Sequence, residues 1–449
     1  MSKFKNTELI VDYVLSGFGA SFRLGSPNEA YARGVAEELF SSTKFLESET
    51  RGDNIEMSAL FNAYTEDRMA EQLNGFNLNL RDLYTGGMYV DSGGLQVLTQ
   101  GKTIDEEMRK KIYKTQASYG DFAMSFDVIP SEFVNGEKIY FPERVADAGT
   151  QAGKNLIEQI KAFKEYNTSC KIMPIIQGLG ESDMDLYANN MFSQLSKDEL
   201  DYITSVAFGG GTSGFEFLNR MMNAHHSKIL SQKMNHVHLL GITGFSRLLP
   251  PIIAAMNGIL PDVNRISFDS TTISKTYVLG MVWPEVEDVI SGNVKAGAST
   301  SLGKVRNKTV EAHYEKMWNW WKKNPNNIFD GVEDLLEHSV YNSKGFTTGY
   351  QQTENLSLED GIKTITQKHV FVYYNTYNFI NILKGYIKGE VPLSNLLGKN
   401  QKGIFLFEQL ESITDVNDYN EWFIDVKKHI KIDVPSVGSD KGQSTNILF

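Results

Sequence analysis

Tyr89-Val90-Asp91-Ser92-Gly93-Gly94-Leu95-Gln96 carries an apolar run into an aspartate and then into two glycines. Such a run reads as a strand with its acid at the end. The glycines let the backbone turn tightly against whatever the carboxylate faces. The same grammar recurs downstream. Ser125-Phe126-Asp127 closes an apolar run, and Gln177-Gly178 closes Ile172-Met173-Pro174-Ile175-Ile176. Gly209-Gly210-Gly211 follows Val206-Ala207-Phe208, and Asp269-Ser270 follows Arg265-Ile266-Ser267-Phe268. A barrel of parallel strands builds its single site in this way, from the C-terminal end of each strand.

Working outward, strands are expected near 88–91, 122–127, 171–176, 202–208, 236–242 and 265–269. Helical patterns near 104–118, 142–166, 183–197, 214–230 and 245–257 separate them. This alternation implies right-handed βαβ units and a parallel sheet. Polar or glycine residues at six strand ends favour a closed barrel, because an open sheet gathers its site at one switch point. In the first ~85 residues helical patterns alternate with loops. Leu9-Ile10-Val11 is a candidate early strand, and Ala30 to Phe40 reads as a helix ending at Ser41-Ser42-Thr43. Beyond residue 300 the chain turns to Trp- and Tyr-rich helical patterns over 313–322, 358–388 and 406–411. The expectation is a TIM (β/α)8 barrel over residues 1–300, with an N-terminal elaboration. A largely helical C-terminal domain follows over 301–449, a candidate source of the barrel's last helix.

The 449 residues exceed the ~250 of a typical barrel, leaving room for such an addition. A hydrophobic content of 41% fits a folded globular chain. No signal-peptide h-region opens the sequence and no apolar run is long enough to span a bilayer, so a cytoplasmic location without membrane association is expected. Cys170 is the only cysteine, which excludes an intramolecular disulfide and a cysteine-based zinc site. A formal charge of −11 provides no global field for nucleic acid, which argues against a passive coat protein but leaves room for a local basic groove.

Three acids carry the chemical reading: Asp91, Asp127 and Asp269. Each follows an apolar strand, where burying an acid is costly without a partner or a purpose. One such acid reads equally well as a helix N-cap. Three, with an amide and glycine runs at equivalent places, read as a shared site. Gln177 offers an amide to a polar heterocycle, and the backbone of Gly209 and Gly210 can approach a planar ligand closely. His236 and His238 alternate along a strand without an evident third metal ligand, and read as core or solvated histidines. Neither a GxSxG elbow nor a dinucleotide-binding glycine fingerprint is present.

The ordered set DSGGLQ (91–96), SFDVIP (125–130), IIQG (175–178), FGGG (208–211), LLGITG (239–244) and ISFDS (266–270) resembles the tRNA-guanine transglycosylase superfamily. The resemblance implies a TIM barrel that exchanges guanine in a nucleic acid for a 7-deazaguanine, with no redox cofactor. By motif it implies Asp269 as nucleophile at the sugar C1′ and Asp91 as acid/base. Asp127, Gln177, Gly209 and Gly210 would bind the base, with Leu240 and Leu95 on its faces. The tRNA enzymes carry a Cys3His zinc site and an arginine-containing stretch after the nucleophile. Here no cysteine follows Cys170, and Ser270 to Lys275 contains no arginine. Leu95 replaces an aromatic, and Leu240 a methionine. These departures resemble the DNA-directed branch, the DpdA-like transglycosylases of phages and bacteria. They imply DNA as partner, a preQ0-like base as co-substrate and no metal. Lys275, Lys304, Arg306 and Lys308 are candidate phosphate contacts, or solvated surface charges. The alternatives are a zinc-free tRNA enzyme, a non-catalytic nucleic-acid-binding subunit and a base-excising glycosidase. The sequence carries no signal for oligomeric state.

Overall fold

Nine parallel strand segments form one sheet, and Pro174 explains why they amount to eight strands. The segments are β1 (Ile10–Leu15), β2 (Ile55–Asn62), β3 (Gly87–Asp91), β4 (Phe122–Met124), β5 (Lys171–Met173 resuming as Ile175–Ile176), β6 (Ser205–Phe208), β7 (His236–Leu239) and β8 (Arg265–Ser270). Proline has no N–H for the ladder, so β5 breaks there. The Pro174 carbonyl still accepts the Ala207 N–H at 2.8 Å. The half before it pairs with β4 and the half after it with β6. Each remaining strand pairs with its successor, and β8 returns to β1 in register from Arg265 opposite Ile10 to Ser270 opposite Leu15. The molecule is thus a (β/α)8 barrel with a helical C-terminal region. The computed structural model describes residues 4–6, 8–16, 29–64, 79–84, 86–94, 104–134, 137–209, 213–242, 244–270, 272–273, 276–277, 281–296, 300–301, 307–338, 341–342, 345–346, 356–397 and 401–427.

Successive strand residues face opposite sides. One set points outward beneath the helices and joins the main core with Phe61, Val90, Ile172, Val206, Val237, Ile266 and Phe268. The other set fills the barrel: Val14, Tyr89, Met124, Met173, Ile175 and Ala207 form a separate cluster capped by Leu60, Phe122 and Leu240. The interior also holds buried Asp12, Ser58, His236, His238 and Ser267. β2 escaped the sequence reading: its alternation of Met57, Ala59 and Phe61 beneath helices with inward Ser58 and Asn62 is short and interrupted by Leu60.

The surrounding helices are α1 (Glu29–Thr50), α2 (Glu106–Tyr119), α3 (Val145–Tyr166), α4 (Glu181–Phe192), α5 (Gly214–His226) and α6 (Phe245–Met256). α1 does not end at Ser41-Ser42-Thr43 as the sequence reading has it. Ser42 donates to the Glu38 carboxylate at 3.0 Å and Thr43 to the Leu39 carbonyl at 2.7 Å, so their hydroxyls are satisfied inside a continuing helix. Further on come α7 (Asn307–Trp321), α8 (Leu358–Ile387), α9 (Gln401–Ser412) and α10 (Val416–Lys427). Phe379 of α8 packs its ring 5.7 Å from Tyr13 on β1 and 6.2 Å from Phe268 on β8, the place an eighth barrel helix occupies. Thr43 meets the Tyr373 hydroxyl at 2.8 Å, so α8 also contacts α1. Among the described residues no helix is long and apolar enough to cross a membrane.

Candidate active site at the C-terminal rim

Asp91 is the last residue of β3, and its neighbour at the end of β2, Asn62, donates Nδ2 to its Oδ2 at 3.0 Å. Asn62 in turn accepts the Tyr64 N–H at 3.0 Å, which fixes the amide's orientation. Both glycines shape the turn after Asp91. Gly93 has φ +82°, and a Cβ there would lie 2.4 Å from Cβ of Tyr64. A Cβ on Gly94 would lie 2.6 Å from Oδ1 of Asp127. The backbone is therefore pressed directly against the second acid.

Burial pushes the Asp91 carboxyl up to about 7, with the negative charges of Asp127 and Asp269 adding to the shift. The backbone N–H groups of Gly93 and Ser92 oppose it. An acid beside two others resists ionisation because a further negative charge has too little water to screen it. This coupling brings the three sequence-selected carboxylates into one electrostatic neighbourhood.

Asp127 is buried in the segment after β4, and Gln177 at the end of β5 donates Nε2 to its Oδ2 at 2.6 Å. Gly209 lets the Gln177 amide lie flat beside the backbone, since a Cβ there would be 2.7 Å from Nε2. Beneath these two loops lies Arg220 of α5, only 1% exposed. It donates to the Gly178 carbonyl at 2.7 Å and to the Gly209 carbonyl, and it pairs with Glu216. Its fork ties the ends of β5 and β6 into one wall.

Asp269 on β8 accepts the Gly241 N–H at 3.0 Å and His238 Nε2 at 3.2 Å, both on Oδ1. Gly241 reaches it from a left-handed turn, φ +73°, after β7. Among the described residues, both hydrogen bonds to this carboxylate fall on the one oxygen. Leu240 lies partly buried at the top of the interior cluster.

The rim thus gathers Asp91, Asp127, Gln177, Gly209, Leu240 and Asp269. Gly210, Leu95, Lys275, Lys304 and Arg306 fall outside the described residues, and Lys308 lies in the first turn of α7. Asn62, Arg220 and Ser267 escaped the sequence reading, which took His238 for a core or solvated histidine. His238 is buried, and β7 and β8 pair it with Ser267 directly across the ladder. Cys170 is buried, and burial raises its thiol, as befits a core position. Among the described residues no group of three or more His, Cys, Asp or Glu side chains is arranged to hold a metal.

Fold and rim together define a (β/α)8 barrel with a carboxylate-lined site. Neither a protein-family model nor a curated protein matches the chain.

Proposed function

We propose that this rim is a base-exchange site, and that the protein replaces guanine in DNA by a 7-deazaguanine such as preQ0. The observation that carries the reading is the pairing of unlike acids. Asp91 sits near neutrality, about 7, while Asp269 is gripped on one oxygen by two donors. Asp269 attacks C1′ through its other oxygen, and the C1′–N9 bond breaks as Asp91 passes its proton to the departing guanine. The incoming base gives its N9 proton to Asp91 and forms a new C1′–N9 bond, while the C1′–O electron pair returns to Asp269. One bond is exchanged for its equivalent, so no oxidant or reductant enters. A group with a pKa near 7 serves both proton transfers, and the covalent intermediate divides one hard displacement into two. Asp127 and Gln177 offer an acceptor and an amide to the edge of the base. DNA as substrate is supported by the missing zinc cysteines and the missing arginine after Asp269. The target base must then leave the stack.

Incubation with labelled preQ0 and either duplex DNA or tRNA tests this. Incorporation into DNA, lost in Asp269→Ala, is expected. Label entering only tRNA would reassign the substrate, and release of base without replacement would mark a glycosidase. DNA binding with neither incorporation nor a covalent adduct would mark a non-catalytic subunit.

A further inference from the structure

We infer that His238 is a positioning residue for Asp269, held in one tautomer by a buried file of polar groups, and that it speeds release of the covalent intermediate. This rests on the base-exchange reading above. The file runs down the barrel interior. His238 Nδ1 lies 2.8 Å from Ser267 Oγ, which lies 2.8 Å from His236 Nε2. His236 Nε2 is 3.2 Å from the Tyr89 hydroxyl, which donates to Asp12 at 2.8 Å. Asp12 also accepts Ser58 at 3.0 Å and Arg265 at 2.9 Å.

The hydrogens follow by elimination. Tyr89 spends its proton on Asp12, so its oxygen accepts and His236 Nε2 carries a hydrogen. Among the described residues the other nitrogen of His236, Nδ1, is buried with no hydrogen-bond partner, as a bare lone pair tolerates better than an N–H would. Burial, aided by Arg265, also holds the His236 ring well below its ordinary pKa. The shortest contact that Ser267 makes with an acceptor is to His238 Nδ1 at 2.8 Å, while the Asp269 carboxylate, which only accepts, faces Nε2 at 3.2 Å. The hydrogen on His238 is therefore on Nε2, aimed at Asp269 Oδ1. The histidine donates to this carboxylate and takes no proton from substrate.

The consequence is directional. In the intermediate one Asp269 oxygen is bonded to C1′ and Oδ1 is an ester carbonyl. When the C1′–O bond breaks, its electron pair spreads over both oxygens, and the hydrogen bond on Oδ1 strengthens. His238 thus favours departure of Asp269 and opposes its attack.

Two rates distinguish this from a merely structural role: formation of the covalent DNA complex without incoming base, and its discharge on a preQ0 chase. In His238→Phe discharge is expected to slow roughly tenfold to a hundredfold, with formation unchanged or faster, so the adduct accumulates. Ser267→Ala, which leaves the His238 ring in place, is expected to shift the same ratio by less. Equal slowing of both steps, or no change in a folded variant, would overturn the role. Nitrogen NMR of the wild-type protein reads the tautomer independently of turnover: hydrogen on Nδ1 of His238 would also sink it. Absence of any adduct or exchange in the wild type would instead defeat the base-exchange reading, whatever the tautomer.

Discussion

Asp91 is the residue whose environment makes the sharpest demands. An unfolded aspartate titrates near ~3.9, whereas folding moves this one to about 7. Below pH ~4 both states are protonated and the shift costs nothing. As the pH rises toward 7 only the unfolded chain ionises, so the folded state loses stability, and above 7 the loss levels off. Asp91→Asn is therefore expected to be more stable than the wild type at pH 8, by about 2–4 kcal/mol, and nearly equal to it at pH 4. Denaturant melts at the two pH values check this, and a gain independent of pH would contradict the electrostatic account. Asp127→Asn removes the second-largest cause of the shift. The pH inflection for covalent complex formation should then move below that of the wild type. At this scale the acids and Gln177 were legible because charged or amide groups closing apolar strands are conspicuous. Arg220 was not. It lies mid-helix in Gly214–His226, where only the fold reveals the two carbonyls above it.

Elements turn these residues into a wall. The Arg220 fork joins the ends of β5 and β6. Replacement by Met removes the buried ion pair with Glu216 and the guanidinium donors to two carbonyls. Arg220→Met is expected to cost about 3–5 kcal/mol, measured by chemical denaturation, and to weaken preQ0 binding by calorimetry. A variant as stable as the wild type would show that the fork is not structural. Gly94→Ala tests the opposite face, where an added methyl would press into Asp127. It should keep the fold yet bind the base poorly. The sequence rhythm made the regular β3-to-β8 elements legible. It failed at β2 and at the second half of α1, where polar side chains are buried against partners distant in sequence: Ser58 against Asp12, and Thr43 against Tyr373.

The molecule as a whole depends on α8, which reaches the barrel only after the long excursion that follows β8. Phe379 stacks on Phe245 at 5.0 Å and also contacts Trp283, Tyr13 and Phe268. Phe379→Ala is expected to cost about 3–5 kcal/mol. Because α8 and the strands share one core, calorimetry should show the barrel and the C-terminal helices unfolding in a single transition. A separate early transition would mark the helices as an independent unit.

That same excursion has a bearing on synthesis. The barrel's last strand leaves the ribosome roughly a hundred residues before the helix that covers its seam with the first. At ~5–20 residues per second the gap lasts about ten seconds. During that interval the outer faces of Tyr13 and Phe268 have no cover from α8. A nascent chain halted after β8 should therefore be a good customer for hydrophobic-surface chaperones, and one extended past Ile387 a poor one.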